Sequence, residues 1–184
     1  MDKFRGWEDY ERRISENWKK LVSPEDTVII AGDVCWAMKL TDTLADFTFL
    51  HSLPGKKILM KGNHDYWWTT KKKMDDWLAA CGFDDMSILF NNAFPFGGYA
   101  VCGTRGWSYD CPESERNVLL REVGRLEASI SAGIAMGLEP LVFLHYPPVY
   151  GDYVCGEIME VLRRYGIRNC WYGHLHGAAR NRAF

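Results

Sequence analysis

The sequence lacks long apolar runs, paired cysteines and an excess of charge of either sign. No uninterrupted apolar run approaches the roughly 20 residues that a transmembrane helix needs, so no membrane span is predicted. The six cysteines form no C-x-x-C pair, and no apolar leader follows Met1, which favours reduced thiols and a cytoplasmic location. The formal net charge is only -2, so the chain carries no nucleic-acid signature. These absences argue against a membrane anchor, a disulfide-rich scaffold and a strongly basic nucleic-acid binder.

Apolar residues make up 47% of the 184 residues, which suits a single domain over 1–184 with a core of its own. Helix and strand patterns alternate along the chain, which predicts an α/β fold. Apolar positions three or four apart between Trp7 and Leu21 predict an amphipathic helix with one buried stripe. Further helices are predicted at 41–51, 70–80, 113–137 and 154–165. Strands are predicted at 27–31, 57–61, 88–90, 99–103, 141–144 and 169–172, the third and fourth as a hairpin.

Polar residues that can bind a metal follow four of the predicted strands. They are Gly32-Asp33, Gly62-Asn63-His64-Asp65, His145 and Gly173-His174-Leu175-His176. Ligands of α/β sheets bind beyond the carboxyl ends of the strands, so these side chains are expected to converge. One carboxylate, one amide and four imidazoles, without a thiolate, suit manganese, iron, zinc, cobalt or nickel. The sequence therefore predicts a divalent metal site.

In this order and spacing the four motifs resemble the calcineurin-like metallophosphoesterases, over roughly residues 27–177. The resemblance implies a four-layer α/β/β/α sandwich with two mixed sheets and a dinuclear metal site, manganese being one candidate ion. It also implies a ligand set. Asp33 would bridge both ions, His176 would bind the first, and the second would be bound by Asn63, His145 and His174.

The resemblance further implies phosphoester hydrolysis by in-line attack of a metal-bound hydroxide on phosphorus, with a phosphatase or phosphodiesterase activity. Asn63 and His64 would contact the phosphate, and His64 would assist the leaving oxygen. Asp65 would fix the imidazole of His64. Arg105 follows a predicted strand and either binds the anionic substrate or makes a structural ion pair, and both interpretations stay open. The substrate would be a small phosphoester or a phosphoprotein, and the sequence does not choose between monoester, diester and nucleotide.

Aromatic residues flank the predicted rim of the site. They could stack on a substrate, but we favour packing in the core or at the rim as their main use. They are Trp36, Trp67, Trp68, Trp107 and Tyr109.

The N-terminal D-x-H motif of the family does not occur in this sequence. That motif supplies two ligands of the first metal, so we expect one tightly bound ion, a weak or absent second ion, and low activity. We also expect an incomplete sandwich whose exposed strand edges favour self-association. The rival hypothesis is a catalytically silent binding or scaffold protein of the same fold. The presence of His64, which binding alone would not need, favours the enzyme. A metallo-β-lactamase type of hydrolase would need an H-x-H-x-D-H motif, which is absent.

Overall fold

The fold is seen in a computed structural model, which describes residues 7–107 and 112–176. The predicted alternation of helices and strands is confirmed. The helices are α1 (Tyr10–Leu21), α2 (Leu44–His51), α3 (Lys71–Ala80), α4 (Arg116–Ala135) and α5 (Gly156–Arg164). The strands are β1 (Thr27–Ile30), β2 (Lys56–Leu59), β3 (Met86–Ile88), β4 (Phe94–Phe96), β5 (Tyr99–Thr104), β6 (Glu139–Leu144), β7 (Val149–Tyr150), β8 (Tyr153–Val154) and β9 (Cys170–Tyr172).

The described strands form two main sheets and a small hairpin. One sheet has the order β1-β2-β3, and its pairs are parallel. The other has the order β4-β5-β6-β9 and is mixed, because β4 runs antiparallel to β5 while the remaining pairs are parallel. β7 and β8 form the hairpin. The α/β class with a mixed sheet, expected from the sequence, is therefore confirmed.

The predicted hairpin between 88–90 and 99–103 is wrong. Met86–Ile88 pairs with β2 in the parallel sheet, and the antiparallel partner of β5 is Phe94–Phe96. Sequence reasoning placed Pro95 in the connecting loop, but β4 is the edge strand of its sheet, where proline's missing N–H does little harm. The turn itself is the two-residue Gly97-Gly98, and Gly97 has a φ of 58°.

Three clusters of buried side chains lie on successive faces of the sheets. The first joins α2 and α3 to the parallel sheet, the second lies between the two sheets, and the third joins the mixed sheet to α4 and α5. Representative members are Phe47, Leu59 and Met74 of the first, Ile58, Leu89 and Val101 of the second, and Leu126, Val142 and Ile158 of the third. This order of clusters supports the four-layer arrangement, which stays a prediction.

The predicted helix at the N-terminal end is present as α1, but its predicted buried stripe is wrong. α1 contains no buried residue, and Leu21 is 83% exposed. A polar contact anchors the helix through the Trp18 indole, which donates to the Pro54 carbonyl at 2.9 Å. Periodicity fixes the helical conformation of such a segment, but burial depends on what packs against it. Within the described ranges, no helix is both long and apolar enough to cross a bilayer.

Candidate metal centre and active site

The site lies at the carboxyl ends of four parallel-paired strands. Asp33 follows β1 and Asn63 follows β2 in one sheet, while His145 follows β6 and His174 follows β9 in the other. Parallel strands bring their carboxyl ends to one edge of a sheet, so each sheet contributes two neighbouring loops to the site.

Two glycines allow the loops after β1 and β2 to approach each other closely. A Cβ added at Gly32 would lie 2.5 Å from the Gly62 nitrogen and 2.7 Å from His145 Nδ1, and Gly32 has a φ of 99°. A Cβ at Gly62 would lie 2.8 Å from Asp33 Cγ. Because the clashing atoms include the backbone nitrogens of Gly62 and Asp33, which cannot move aside alone, the G-D and G-N-H-D motifs need glycine for steric reasons.

The backbone of the site is strained at two of the candidate ligands. Asp33 has a φ of 57° and His174 a φ of 66°, in the left-handed region that residues with a Cβ seldom adopt. Such a conformation costs about 1–3 kcal/mol and persists where the surroundings enforce it, often at functional sites. The strain therefore marks Asp33 and His174 as residues held in place for more than packing.

The structure brings together the four side chains that the resemblance assigns to the second metal. His145 Nε2 lies 2.7 Å from Asn63 Oδ1 and 3.6 Å from Asp33 Oδ2. His174 Nδ1 lies 3.1 Å from the same Asn63 oxygen. Two ligand atoms bound to one ion at about 2.0–2.2 Å lie about 3.0–3.5 Å apart, so these separations are close to those of a metal site.

The protonation of His145 fits a cation between these atoms. Its Nδ1 lies 2.7 Å from the Ala31 carbonyl oxygen, to which it donates its hydrogen. Burial lowers the pKa of His145, although the Asp33 charge acts in the opposite direction, so the neutral ring is favoured. In that form the lone pair of Nε2 faces the Asn63 oxygen, another acceptor, and a metal ion relieves the conflict. A ligand histidine that donates its other N–H to a carbonyl is common in metal sites.

His176 stands apart from this cluster. It is exposed, and the group of described residues able to share an ion comprises Asp33, His145 and His174, to which Asn63 adds its oxygen. A second group, formed by His51, Asp84 and Asp85, is less suited to a metal. There the Lys57 ammonium already lies 2.5 Å from Asp85 Oδ2 and neutralises the carboxylate.

Asp65 is buried, at 1% exposure, and holds the two metal loops together. Burial raises the pKa of its carboxyl, and the N–H groups that it accepts oppose that rise. Its hydrogen bonds come from the backbone N–H groups of Gly62, Asp33 and Val34 and from the Trp67 indole, at 2.7, 2.8, 2.9 and 3.1 Å. Among the described contacts, none joins Asp65 to the His64 ring. The positioning of the His64 imidazole by Asp65, expected from the sequence, therefore stays a prediction.

His64 is oriented by two aromatic residues and by Asp33. Its backbone N–H donates to Asp33 Oδ1 at 2.8 Å, and its Nδ1 lies 3.1 Å from the Tyr66 hydroxyl. The Trp36 ring stacks on the imidazole, with centroids 4.7 Å apart and planes at 26°. Sequence reasoning missed Tyr66, although its position two residues after His64 in the same loop was an available signal.

The remaining rim aromatics mostly serve packing. Trp67 is 2% exposed and belongs to the core against α2 and α3, whereas Trp36 is 60% exposed. The Arg105 guanidinium lies 5.1 Å from the centroid of the Trp107 ring. Tyr109 falls outside the described residues.

Arg105 lies within ion-pair distance of a buried carboxylate, and the substrate-binding role considered from the sequence stays a prediction. Its Nη2 lies 3.6 Å from Oε1 of Glu122, a carboxylate that is 1% exposed. Its carbonyl oxygen accepts the backbone N–H groups of His145 and Tyr146 at 3.1 and 2.9 Å. Arg105 thus supports the loop that carries a metal ligand, and its side chain lies beside the site.

Comparison with known protein families matches residues 5–178 to the family described as calcineurin-like phosphoesterase. The match covers most of the chain, and the chain belongs to this family. The family indicates metal-dependent phosphoester hydrolysis with divalent ions. A search of curated proteins found no match.

Proposed function

We propose that this protein hydrolyses phosphoesters with a divalent metal ion bound by Asp33, Asn63, His145 and His174. The observation that carries the proposal is the Asn63 oxygen, which lies 2.7 Å from His145 and 3.1 Å from His174. Nitrogen and oxygen donors of this kind suit manganese, iron, zinc, cobalt or nickel. We expect one tightly bound ion per chain, because His176 lies exposed and apart from the cluster.

The ion, when bound, supplies an activated water and neutralises charge on the phosphate. The chain itself fixes the geometry around it. Asp33 presents one oxygen to the cluster while its other oxygen accepts the His64 N–H. Asp65 prevents the two loops from separating, since it accepts hydrogen bonds from both.

His64 is the group we assign to the leaving oxygen. Its ring is held by Trp36 and Tyr66, which are 60% and 51% exposed, so the imidazole lies at the open side of the site. A proton donor there assists departure of an alkoxide that would otherwise leave poorly, an effect worth typically about 10²–10⁴-fold. In-line displacement would require the leaving oxygen, and with it His64, to lie opposite the attacking water.

Hydrolysis of nitrophenyl phosphate and bis-nitrophenyl phosphate with added manganese tests the proposal. His145→Ala should lose both the bound ion and turnover, since it removes a ligand. His64→Ala should keep the ion and lose about 10²-fold or more in turnover of an alkyl phosphate, with a smaller loss for the nitrophenyl esters, whose leaving group needs the proton less. His51→Ala is the matched control, because His51 contacts Asp85 and lies in the group away from the metal cluster.

The comparison of ion content with turnover separates the two hypotheses of function. One bound ion per chain with turnover that His145→Ala abolishes, and with alkyl phosphate turnover that His64→Ala lowers, supports the hydrolase. One bound ion with no turnover above a metal-only blank would instead support the silent scaffold.

A further inference from the structure

A polar pocket lies close to the candidate metal ligands, and the side chains that line it carry more positive than negative charge. Lys61, Arg105 and Arg125 line it together with a single carboxylate, Glu122. The pocket is shallow: the volume open to a water-sized group is about 10 Å³, and the empty space between its walls, open solvent included, is about 260 Å³. It admits about one water-sized group, so a phosphate there would extend into solvent.

The carboxylate of Glu122 is already satisfied by its neighbours. Its Oε1 accepts a hydrogen bond from Arg125 Nη1 at 2.6 Å and lies 3.6 Å from Arg105 Nη2. Its Oε2 accepts a hydrogen bond from the Thr104 hydroxyl at 2.6 Å. One negative charge is therefore shared between two guanidinium groups. Glu122 can neutralise only one of the two guanidinium charges, and no other carboxylate of the pocket neutralises the second or the charge of Lys61.

Two cationic side chains of the pocket lack a full set of acceptors in the described part of the chain. Arg105 Nε is buried and makes no hydrogen bond there. Lys61 lines the pocket, and its described contacts include no ion pair. Buried donors normally have partners, so a pocket with spare donors and excess positive charge is suited to an anion.

The backbone connects this pocket directly to the metal loops. Lys61 immediately precedes Gly62-Asn63, and the Arg105 carbonyl accepts the N–H of His145. An anion at the mouth of the pocket would therefore be attached to, or lie beside, a group bound at the metal cluster.

We propose that Lys61 and Arg105 bind a second phosphate group of the substrate. The substrate class is then a molecule with two phosphate groups, one at the metal cluster and the other in this pocket. Guanidinium and ammonium groups together suit a phosphate, which offers several oxygens to separate donors. This assignment rests on the proposed function, but the pocket itself can be tested without turnover.

Binding of inorganic phosphate to the metal-free protein, measured by calorimetry in the presence of a chelator, tests the pocket. Lys61→Met should weaken phosphate binding tenfold or more. It should also leave the thermal midpoint unchanged or raise it, because it removes a half-buried ammonium close to two guanidinium groups. A residue that only braced the fold would give the opposite result for stability. Lys72→Met is the matched control, since Lys72 is exposed and pairs with Asp76 at 2.8 Å.

The metal-loaded enzyme then tests which phosphate the pocket binds. For an alkane bisphosphate, Lys61→Met should raise KM tenfold or more, while KM for the matching alkyl monophosphate should stay the same. If Lys61→Met and the unaltered protein bind phosphate with equal affinity, the assignment of this pocket to phosphate is wrong. If phosphate binding is lost but the KM ratio does not change, the pocket takes free phosphate, and the substrate assignment is wrong. If neither ester is hydrolysed, the proposed function fails, while the phosphate titration still decides the pocket.

Discussion

Replacing Gly62 by alanine tests whether the close approach of two loops builds the metal site. The added Cβ would lie 2.8 Å from Asp33 Cγ and still closer to the Asp33 backbone nitrogen, whereas ordinary contacts begin near 3.4 Å. The Asp33 loop would have to move away. That movement would break or lengthen two hydrogen bonds, Asp33 N–H to Asp65 and His64 N–H to Asp33, each now 2.8 Å long.

The magnitude follows from these two bonds. A hydrogen bond to a charged group contributes about 1.5–3 kcal/mol, so loss of both predicts a decrease of about 3–6 kcal/mol in the free energy of unfolding. Metal affinity should fall at least about tenfold as well, because Asp33 is a proposed ligand and a displacement of its oxygen weakens binding.

Urea unfolding of the metal-free protein measures the first effect, and titration with manganese or zinc measures the second. Gly124→Ala is the matched control. Gly124 is exposed in α4, and an added Cβ meets no atom within 4 Å. Alanine should therefore stabilise the helix there by about 0.5–1 kcal/mol. If Gly62→Ala proved as stable as Gly124→Ala, or bound metal as well as the unaltered chain, the steric argument would be refuted.

Two further predictions concern the ring of His64 and an ion pair outside the site. Tyr66→Phe should lower kcat about threefold to tenfold for alkyl phosphates and little for nitrophenyl phosphate, because a poor leaving group needs the proton more; an equal effect on both esters would contradict a role in orienting His64. Burial raises the pKa of Asp85, but Lys57 and His51 lower it by more, so the net pKa lies below its ordinary value. The stability that this carboxylate contributes is therefore full above about pH 4 and is lost as the pH falls further. Urea midpoints of the chelated protein should thus decline less steeply below pH 4 in Asp85→Asn, and an unchanged slope would contradict the assignment.

The strand ends that carry the motifs could be predicted because local sequence determines them. Thr27 to Ala31 is an apolar, β-branched run that stops at a glycine, and β1 covers Thr27–Ile30. The convergence of these ends followed from the general rule for parallel sheets and not from side-chain detail.

The partner of β5 could not be predicted, because pairing depends on which strand lies beside it in three dimensions. Phe94–Phe96 has three residues, with a proline in the middle, and gives little local signal. The prediction that α1 buries its apolar stripe failed for a similar reason. Periodicity shows which face is apolar and says nothing about whether another element reaches it.

The hydrogen bonds of Asp65 could not be predicted from the sequence either. A carboxylate next to a histidine suggests a direct bond, but which donors it meets depends on the loop from β1, more than 30 residues away in the chain. Only the folded structure shows that five N–H groups converge on it, the fifth being the backbone N–H of Cys35 at 3.5 Å.

The hydrogen bonds around Asp33 couple the stability of the fold to the placement of the metal ligands. Asp65 accepts the N–H of Asp33, and Asp33 in turn accepts the N–H of His64, so each motif holds the other in place. These bonds can sustain the left-handed backbone of Asp33, which would otherwise relax at the expense of the ligand geometry. Because these bonds join groups of the chain itself, the chain contributes to the order of both loops. The G-D and G-N-H-D motifs therefore act as a single preorganised unit, in which a change to either glycine affects folding and metal binding together.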